Sequence, residues 1–238
     1  MYTFESHIRY SEVDPNRKLT IDSLIDYFQD TASFHGEEAG NGIEEMKKRK
    51  LAWLISTWYV RIYRMPQFCE KVKSVTGVCG TRMLYPVRLH KMLAEDGSVC
   101  AEGYSQWLIL DTQTGHPVRI PDWFFDCYEI DEPLSFPNMG RHVRLPEKME
   151  EREPFPVRSC EIDTNGHVNN GQYVRMAEGY LPENFIVRAV QVEYRKAAFL
   201  GDMIAPYLAF DGKGCGISLR DGNGKPYVNI YFEGEKDA

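Results

Sequence analysis

No stretch of this chain approaches the roughly 20 consecutive apolar residues that a membrane-crossing helix requires, so no membrane span is expected. Its first residues, Met1 to His7, lack a basic segment followed by an apolar one. A secretory leader is therefore not expected, and a cytoplasmic location is. Paired cysteines are missing too. Cys69, Cys79, Cys100, Cys127, Cys160 and Cys215 are scattered and form no Cys-x-x-Cys element. Free thiols are expected, with neither a metal site nor a cofactor. An excess of positive charge is also absent. The net charge of −7 disfavours nucleic acid as a main partner, because phosphate binding needs a basic surface.

What is present is apolar material for a sizeable core. The 238 residues are 43% hydrophobic and 13% aromatic, enough for one large domain or two small ones. Tyr2 to Tyr10 alternates loosely and predicts a strand. From Thr20 to about Ala39 the apolar residues Ile21, Leu24, Ile25, Phe28 and Ala32 fall at helical spacing, with Thr20 available as a cap. Strand-like runs follow at about 51–63, 71–79, 82–93 and 98–110, separated by turn sequences. Residues 131–154 are rich in proline and charge and read as a connector. The plan then repeats: strand at 155–162, helix at about 169–179, strands at 187–196, 203–210, 215–220 and 227–232.

The densest chemistry lies at the strand-to-helix junction of the second half. Asp163, Asn165 and His167 place a carboxylate, a carboxamide and an imidazole at every second residue. A helix starting just after them would offer free N–H donors and partial positive charge to a developing oxyanion. The bland reading is that Asp163 and Asn165 cap a turn while His167 packs. The spaced trio, followed by Asn169, Asn170 and Tyr173, favours catalysis.

This motif has a damaged twin. Arg9, Glu12, Val13, Asp14, Asn16 and Leu19 match Arg158, Glu161, Ile162, Asp163, Asn165 and Val168 at a constant spacing of 149 residues. Lys18 stands where the second copy has His167. A second block recurs: Tyr63, Arg64, Phe68 and Glu70 resemble Tyr194, Arg195, Phe199 and Asp202, with the acid displaced by one residue. Two blocks in the same order argue for duplication. The expected fold is α+β: two tandem hot-dog units, each a helix wrapped by a curved antiparallel sheet. Residues 1–130 would form the first unit, with a degenerate site. Residues 131–154 would connect it to a catalytic second unit at 155–238.

At these residues the chain resembles the fatty acyl-acyl carrier protein (ACP) thioesterases of plants and bacteria. The second-half signature runs from Asp163 through Asn165, His167, Asn169 and Asn170 to Tyr173. The first-half signature is Arg61 to Pro66, with Glu70 and Val72 after it; Glu193 to Arg195 and Gly201-Asp202 resemble a later strand. The resemblance implies a thioester hydrolase of fatty acid biosynthesis that releases a free fatty acid from ACP and ends chain elongation. It places Asp163, Asn165 and His167 where the family has its catalytic residues. It also implies a Glu shortly after the late Tyr-Arg pair; here those positions are Ala197 and Ala198. Glu193 and Glu178 are candidate substitutes.

In such a hydrolase His167 would serve as base, since its unperturbed pKa of about 6.5 lies near neutrality. Asn165 would hold the water or carbonyl, and Asp163 would orient its neighbours or act on water. Backbone N–H groups at Asn169, Asn170 and Gly171 would hold the thioester oxygen. Cys160, on the preceding strand, reads as a packing residue rather than a nucleophile, and His35, His90, His116 and His142 as surface or structural. Trp53, Trp58 and Trp107 read as core or acyl-pocket lining. Arg141, Arg144 and Lys148, or Arg175, Arg188, Arg195 and Lys196, would meet the acidic carrier. The alternatives are an acyl-coenzyme A thioesterase and a non-catalytic acyl-binding module. A homodimer is possible.

Overall fold

In the computed structural model the described residues are 1–82, 85–121, 123–132 and 142–236. The chain divides into two compact units, Met1–Asn138 and Met139–Ala238. Residues 133–141 of the expected connector, Pro133, Pro137 and Arg141 among them, lie outside the described residues.

The first unit opens with strand β1 (Tyr2–His7), a one-turn 3-10 helix (Tyr10–Glu12) and helix α1 (Ile21–Glu38). Thr20 caps α1 by accepting the Ser23 N–H. Leu24, Ile25, Phe28 and Ala32 fall on its buried face, as their spacing predicts. A short helix α2 (Ile43–Lys48) follows, which was not expected from the sequence. Gly36 lies inside α1, and only Gly40, at φ +75°, marks the exit from it. Four strands complete the sheet: β2 (Leu51–Ile62), β3 (Lys71–Arg82), β4 (Tyr85–Ala94) and β5 (Val99–Asp111). Their antiparallel order is β1-β3-β4-β5-β2, with β6 (Pro117–Val118) on β5. A one-turn helix α3 (Trp123–Asp126), unpredicted from sequence, packs Phe124 with Met46, Val78, Ile109 and Tyr128. Phe28 of α1 lies against the Trp58 and His90 rings of the sheet, and Thr31 Oγ1 bonds Ser74 Oγ at 2.7 Å. The hydrophobic face of α1 is thus pinned to the sheet at a polar point as well.

The second unit begins with β7 (Glu150–Glu151), β8 (Phe155–Pro156) and a 3-10 turn (Ser159–Glu161), then α4 (Asn170–Glu178). Strands β9 (Phe185–Tyr194), β10 (Met203–Phe210), β11 (Gly214–Arg220) and β12 (Pro226–Lys236) follow. The antiparallel order is β9-β12-β11-β10-β7, with β8 also on β10. Tyr173, Val174 and Ala177 of α4 are buried, as are Val190, Ile204, Ile217, Val228 and Phe232 of the sheet. Each unit is therefore a helix on a curved antiparallel sheet, the hot-dog plan.

The strand expected over 155–162 is corrected. Only Phe155 and Pro156 join a ladder. Glu161 takes the Arg158 N–H at 2.8 Å and the Arg158 guanidinium as well, drawing the chain into a 3-10 turn. A side chain thus outcompetes the sheet for a backbone donor. Glu12 does the same to Arg9 in the first unit, so the strand expected to reach Tyr10 stops at His7. Among the described residues no helix is long and apolar enough to cross a membrane.

Candidate active site

The turn at Asp163 is built by its own backbone. Asp163 N–H donates to His167 O at 2.9 Å, and Gly166 N–H donates to Asp163 O at 3.0 Å. Ile162 and Val168 then pair across the turn. Gly166 sits at φ +80°, in the left-handed region that glycine enters without steric cost. Asn169 closes the structure by capping α4, accepting the Gly171 N–H at 2.8 Å.

This turn brings the three predicted side chains together, with the Asp163 carboxylate as hub. Its Oδ1 accepts the Asn165 N–H at 2.8 Å. Its Oδ2 lies 3.4 Å from Asn165 Nδ2 and 3.6 Å from His167 Nδ1. His167 Nδ1 is also 3.4 Å from the Val168 carbonyl oxygen. Two oxygens facing Nδ1 favour the tautomer that carries its proton there, which leaves Nε2 to accept one. Asp163 and His167 are half-buried, and Asn165 is exposed.

The backbone donors expected to hold an oxyanion are largely engaged. Asn169 N–H donates to Glu161 O at 2.9 Å, and Gly171 N–H is taken by the Asn169 side chain. What the helix offers beyond these is its terminal field, worth roughly half a positive charge. Asn170 is tied to the sheet through its carbonyl oxygen, which accepts from Tyr194 Oη at 3.0 Å.

The position of the missing Glu is also clear. Ala197 is half-buried and Ala198 buried; Ala198 N–H donates to Tyr173 Oη at 2.9 Å, and Ala198 O accepts the Val168 N–H. This segment contributes its own backbone groups to both bonds. Glu193 is no substitute acid. It is only 3% exposed and accepts from His142, Arg195 and the Val143 N–H, with distances of 2.8, 2.8 and 3.1 Å. Those donors hold its pKa below the usual carboxylate value against the opposing effect of burial. Glu178 ends α4, about 12 Å along the axis from Asn170 at 1.5 Å per residue. Cys160 lies in the 3-10 turn and is exposed, not packed on a strand. Of the other histidines, His90 is buried and 2.7 Å from Ser105 Oγ.

The first unit repeats the turn. Asp14 N–H donates to Lys18 O at 2.8 Å, Arg17 N–H to Asp14 O at 2.9 Å, and Val13 pairs with Leu19. The second repeated block is also present, with one correction. Gln67 and Phe199 N–H groups donate to the Glu70 and Asp202 carboxylates at 2.9 and 3.0 Å. Tyr63 and Arg64 N–H both donate to Cys100 O, as Arg195 and Lys196 N–H do to Tyr227 O. The structural spacing of this block is therefore 132 residues, and the acids align. The spacing of 131 suggested by the two Tyr-Arg pairs was one residue short. Similar side chains at a strand end proved a weaker guide than the acid that organises the turn.

Among the described residues no three His, Cys, Asp or Glu side chains gather as a metal site would require. Arg144, Lys148 and Arg175 are exposed cations. Arg188, Arg195 and Lys196 pair with Glu235, Glu193 and Asp221.

Comparison with known proteins identifies the family. The acyl-ACP thioesterase N-terminal domain matches residues 1–128, and the C-terminal domain of the same family matches residues 145–229. Oleoyl-acyl carrier protein thioesterase 2 of Arabidopsis thaliana is 24% identical, over 83% of this chain and 59% of its own length. A palmitoyl-acyl carrier protein thioesterase of Cuphea hookeriana is 25% identical, over 88% of this chain and 54% of its own. The chain thus spans somewhat over half the length of these curated relatives. Among solved structures, an acyl-ACP thioesterase from Bacteroides thetaiotaomicron has a TM-score of 0.89 at 20% identity, covering 98% of this chain and 97% of that one. The 12:0-ACP thioesterase from Umbellularia californica reaches 0.87 at 19% identity, covering 99% and 97%. With both domain matches in order along its length, the chain belongs to the acyl-ACP thioesterase family.

Proposed function

We propose that this protein hydrolyses the thioester between a fatty acyl chain and acyl carrier protein, releasing the free fatty acid and ending elongation of that chain. The observation that carries the reading is the convergence of Asp163, Asn165 and His167 on one turn at the N-terminus of α4. Asp163 fixes the imidazole through Nδ1. Nε2 takes a proton from water as the water oxygen adds to the thioester carbonyl carbon. The carbonyl π electrons move to oxygen, where the Asn165 amide and the positive end of α4 at Asn169, Asn170 and Gly171 oppose the new charge. When the tetrahedral intermediate collapses, the C–S bond breaks and the imidazolium returns the proton to the sulfur. The products are the fatty acid and the carrier thiol.

The carrier is acidic, and exposed Arg144, Lys148 and Arg175 suit it. A carrier protein needs a docking face, whereas coenzyme A needs a nucleotide site. The test is hydrolysis of one acyl chain on both carriers, then of a range of chain lengths on the better one. Higher kcat/KM on the protein carrier supports the proposal; preference for the coenzyme A ester, or no hydrolysis of either, overturns it.

Ala197 supports a second reading, an acyl-binding module with little turnover. No carboxylate stands there to aid the water, so Asp163 is left as the acid beside His167. Tight acyl binding without hydrolysis, with turnover appearing in Ala197→Glu, would favour that reading.

A further inference from the structure

The first unit buries a guanidinium for which the described residues provide no carboxylate. Arg88, on β4, is 7% exposed. Its Nη1 lies 3.0 Å from His35 Nδ1, its guanidinium carbon stands 5.1 Å from the centre of the Tyr128 ring, and the Tyr128 hydroxyl is a further neutral partner. An arginine rarely goes without a partner at this depth, because desolvating a charge is costly. The C-terminal end of α1 and the face of Tyr128 offset part of that cost.

A second anomaly lies beside it. Asn41, just past α1, is 2% exposed, and its Nδ2 is buried without a hydrogen-bond partner. A Cβ placed on Gly36 would lie 3.6 Å from the Asn41 backbone oxygen and 3.9 Å from Tyr128 Oη, and the Asn41 and Arg88 side chains both act on the Tyr128 hydroxyl. The His35 ring meets Tyr128 edge-on at 4.9 Å and is covered on another side by Tyr2, stacked at 5.4 Å. Because His35 Nδ1 accepts from Arg88, the imidazole is neutral; burial and the Arg88 charge together pull its pKa down to about 4. The cluster therefore has a fixed cation, an orphan amide donor and a phenol.

We propose that Arg88, Asn41 and Tyr128 form a buried anion site in the first unit that takes a carboxylate. A carboxylate is planar and accepts two parallel N–H bonds from a guanidinium, leaving lone pairs for Asn41 Nδ2 and Tyr128 Oη. Its source is either a small free acid or the head group of a fatty acid. The site uses no residue of the Asp163 turn, so its test does not depend on whether the protein hydrolyses thioesters.

The test uses the full chain in calorimetry and thermal melts, with sodium acetate, decanoate, chloride and phosphate at matched ionic strength. Saturable binding of acetate or decanoate, absent for chloride and phosphate, supports the site. Comparable affinities for the two acids point to a small free acid; much tighter decanoate points to a fatty acid. Arg88→Met should weaken acetate binding by about tenfold or more. Asn41→Asp places a carboxylate on the spot. It should raise the melting midpoint by about 2–4 °C without added anion and abolish acetate binding. No saturable binding of either acid, equal binding of chloride, or unchanged acetate affinity in both variants would overturn the proposal.

Discussion

Set side by side, the turns at Asp14 and Asp163 share a frame and differ in what hangs from it. In both, a Glu holds the N–H of the Arg three residues before it, at 2.7 and 2.8 Å. In both, that Glu's carbonyl accepts the N–H of the helix-capping residue, Thr20 at 3.0 Å and Asn169 at 2.9 Å. In both, one residue is left-handed: Arg17 at φ +63° and Gly166 at φ +80°. The side chains then diverge. Asp163 takes the Asn165 N–H and keeps an oxygen toward His167, whereas Asp14 takes the Lys18 N–H at 2.9 Å, and position 18 carries an ammonium. Helix α1 has 18 residues and α4 has nine. A frame held by backbone bonds lets functional groups change without unfolding the unit. That is how one copy keeps the Asp163, Asn165 and His167 constellation and the other does not.

The sharpest way to break the comparison is His167→Ala. Turnover should fall by roughly 100-fold or more, the scale of a positioned acid–base group, with little change in melting temperature. Near wild-type turnover would remove His167 from the chemistry. Next comes a helix position 149 residues apart in the two copies, Asp26 and Arg175. Burial first, then Asp22 and Asp30, raise the Asp26 pKa from 3.8 to about 7. The folded state thus binds a proton that the unfolded chain has released, so stability falls as pH rises from about 4 to about 7. Asp26→Asn should flatten that fall by about 1–2 kcal/mol, after allowance for the solvent that still reaches the side chain. Denaturant melts of both proteins across this range decide it. The left-handed residues come third. Gly166→Ala should cost about 1 kcal/mol, and Arg17→Gly should gain up to about 1 kcal/mol; equal and opposite shifts would show that the frames are interchangeable. The smallest expected effect is none: Lys18→His added to His167→Ala should restore no hydrolysis. Asp14 is committed to a different donor, and Pro15 stiffens that turn. Recovered turnover would mean that one side chain separates the two sites.

The helices at 21–38 and 170–178 were legible because apolar periodicity and capping residues such as Thr20 and Asn169 are local signals. The trio at 163, 165 and 167 was legible because a tight turn forces neighbours in sequence to be neighbours in space. The strands expected to run to Tyr10 and Ile162 failed because a Glu three residues ahead competes for the same backbone N–H, a contest that periodicity does not register. By itself, then, the sequence determined two repeated helix-and-sheet units, the unequal turns and the residues gathered there. Only the tertiary structure decided that Glu193 is locked under His142 and Arg195, that the repeated acids align at 132 residues, and that Arg88 is buried beside His35 and Tyr128. Those outcomes depend on groups far apart in the chain, whose meeting is set by strand order and burial rather than by spacing.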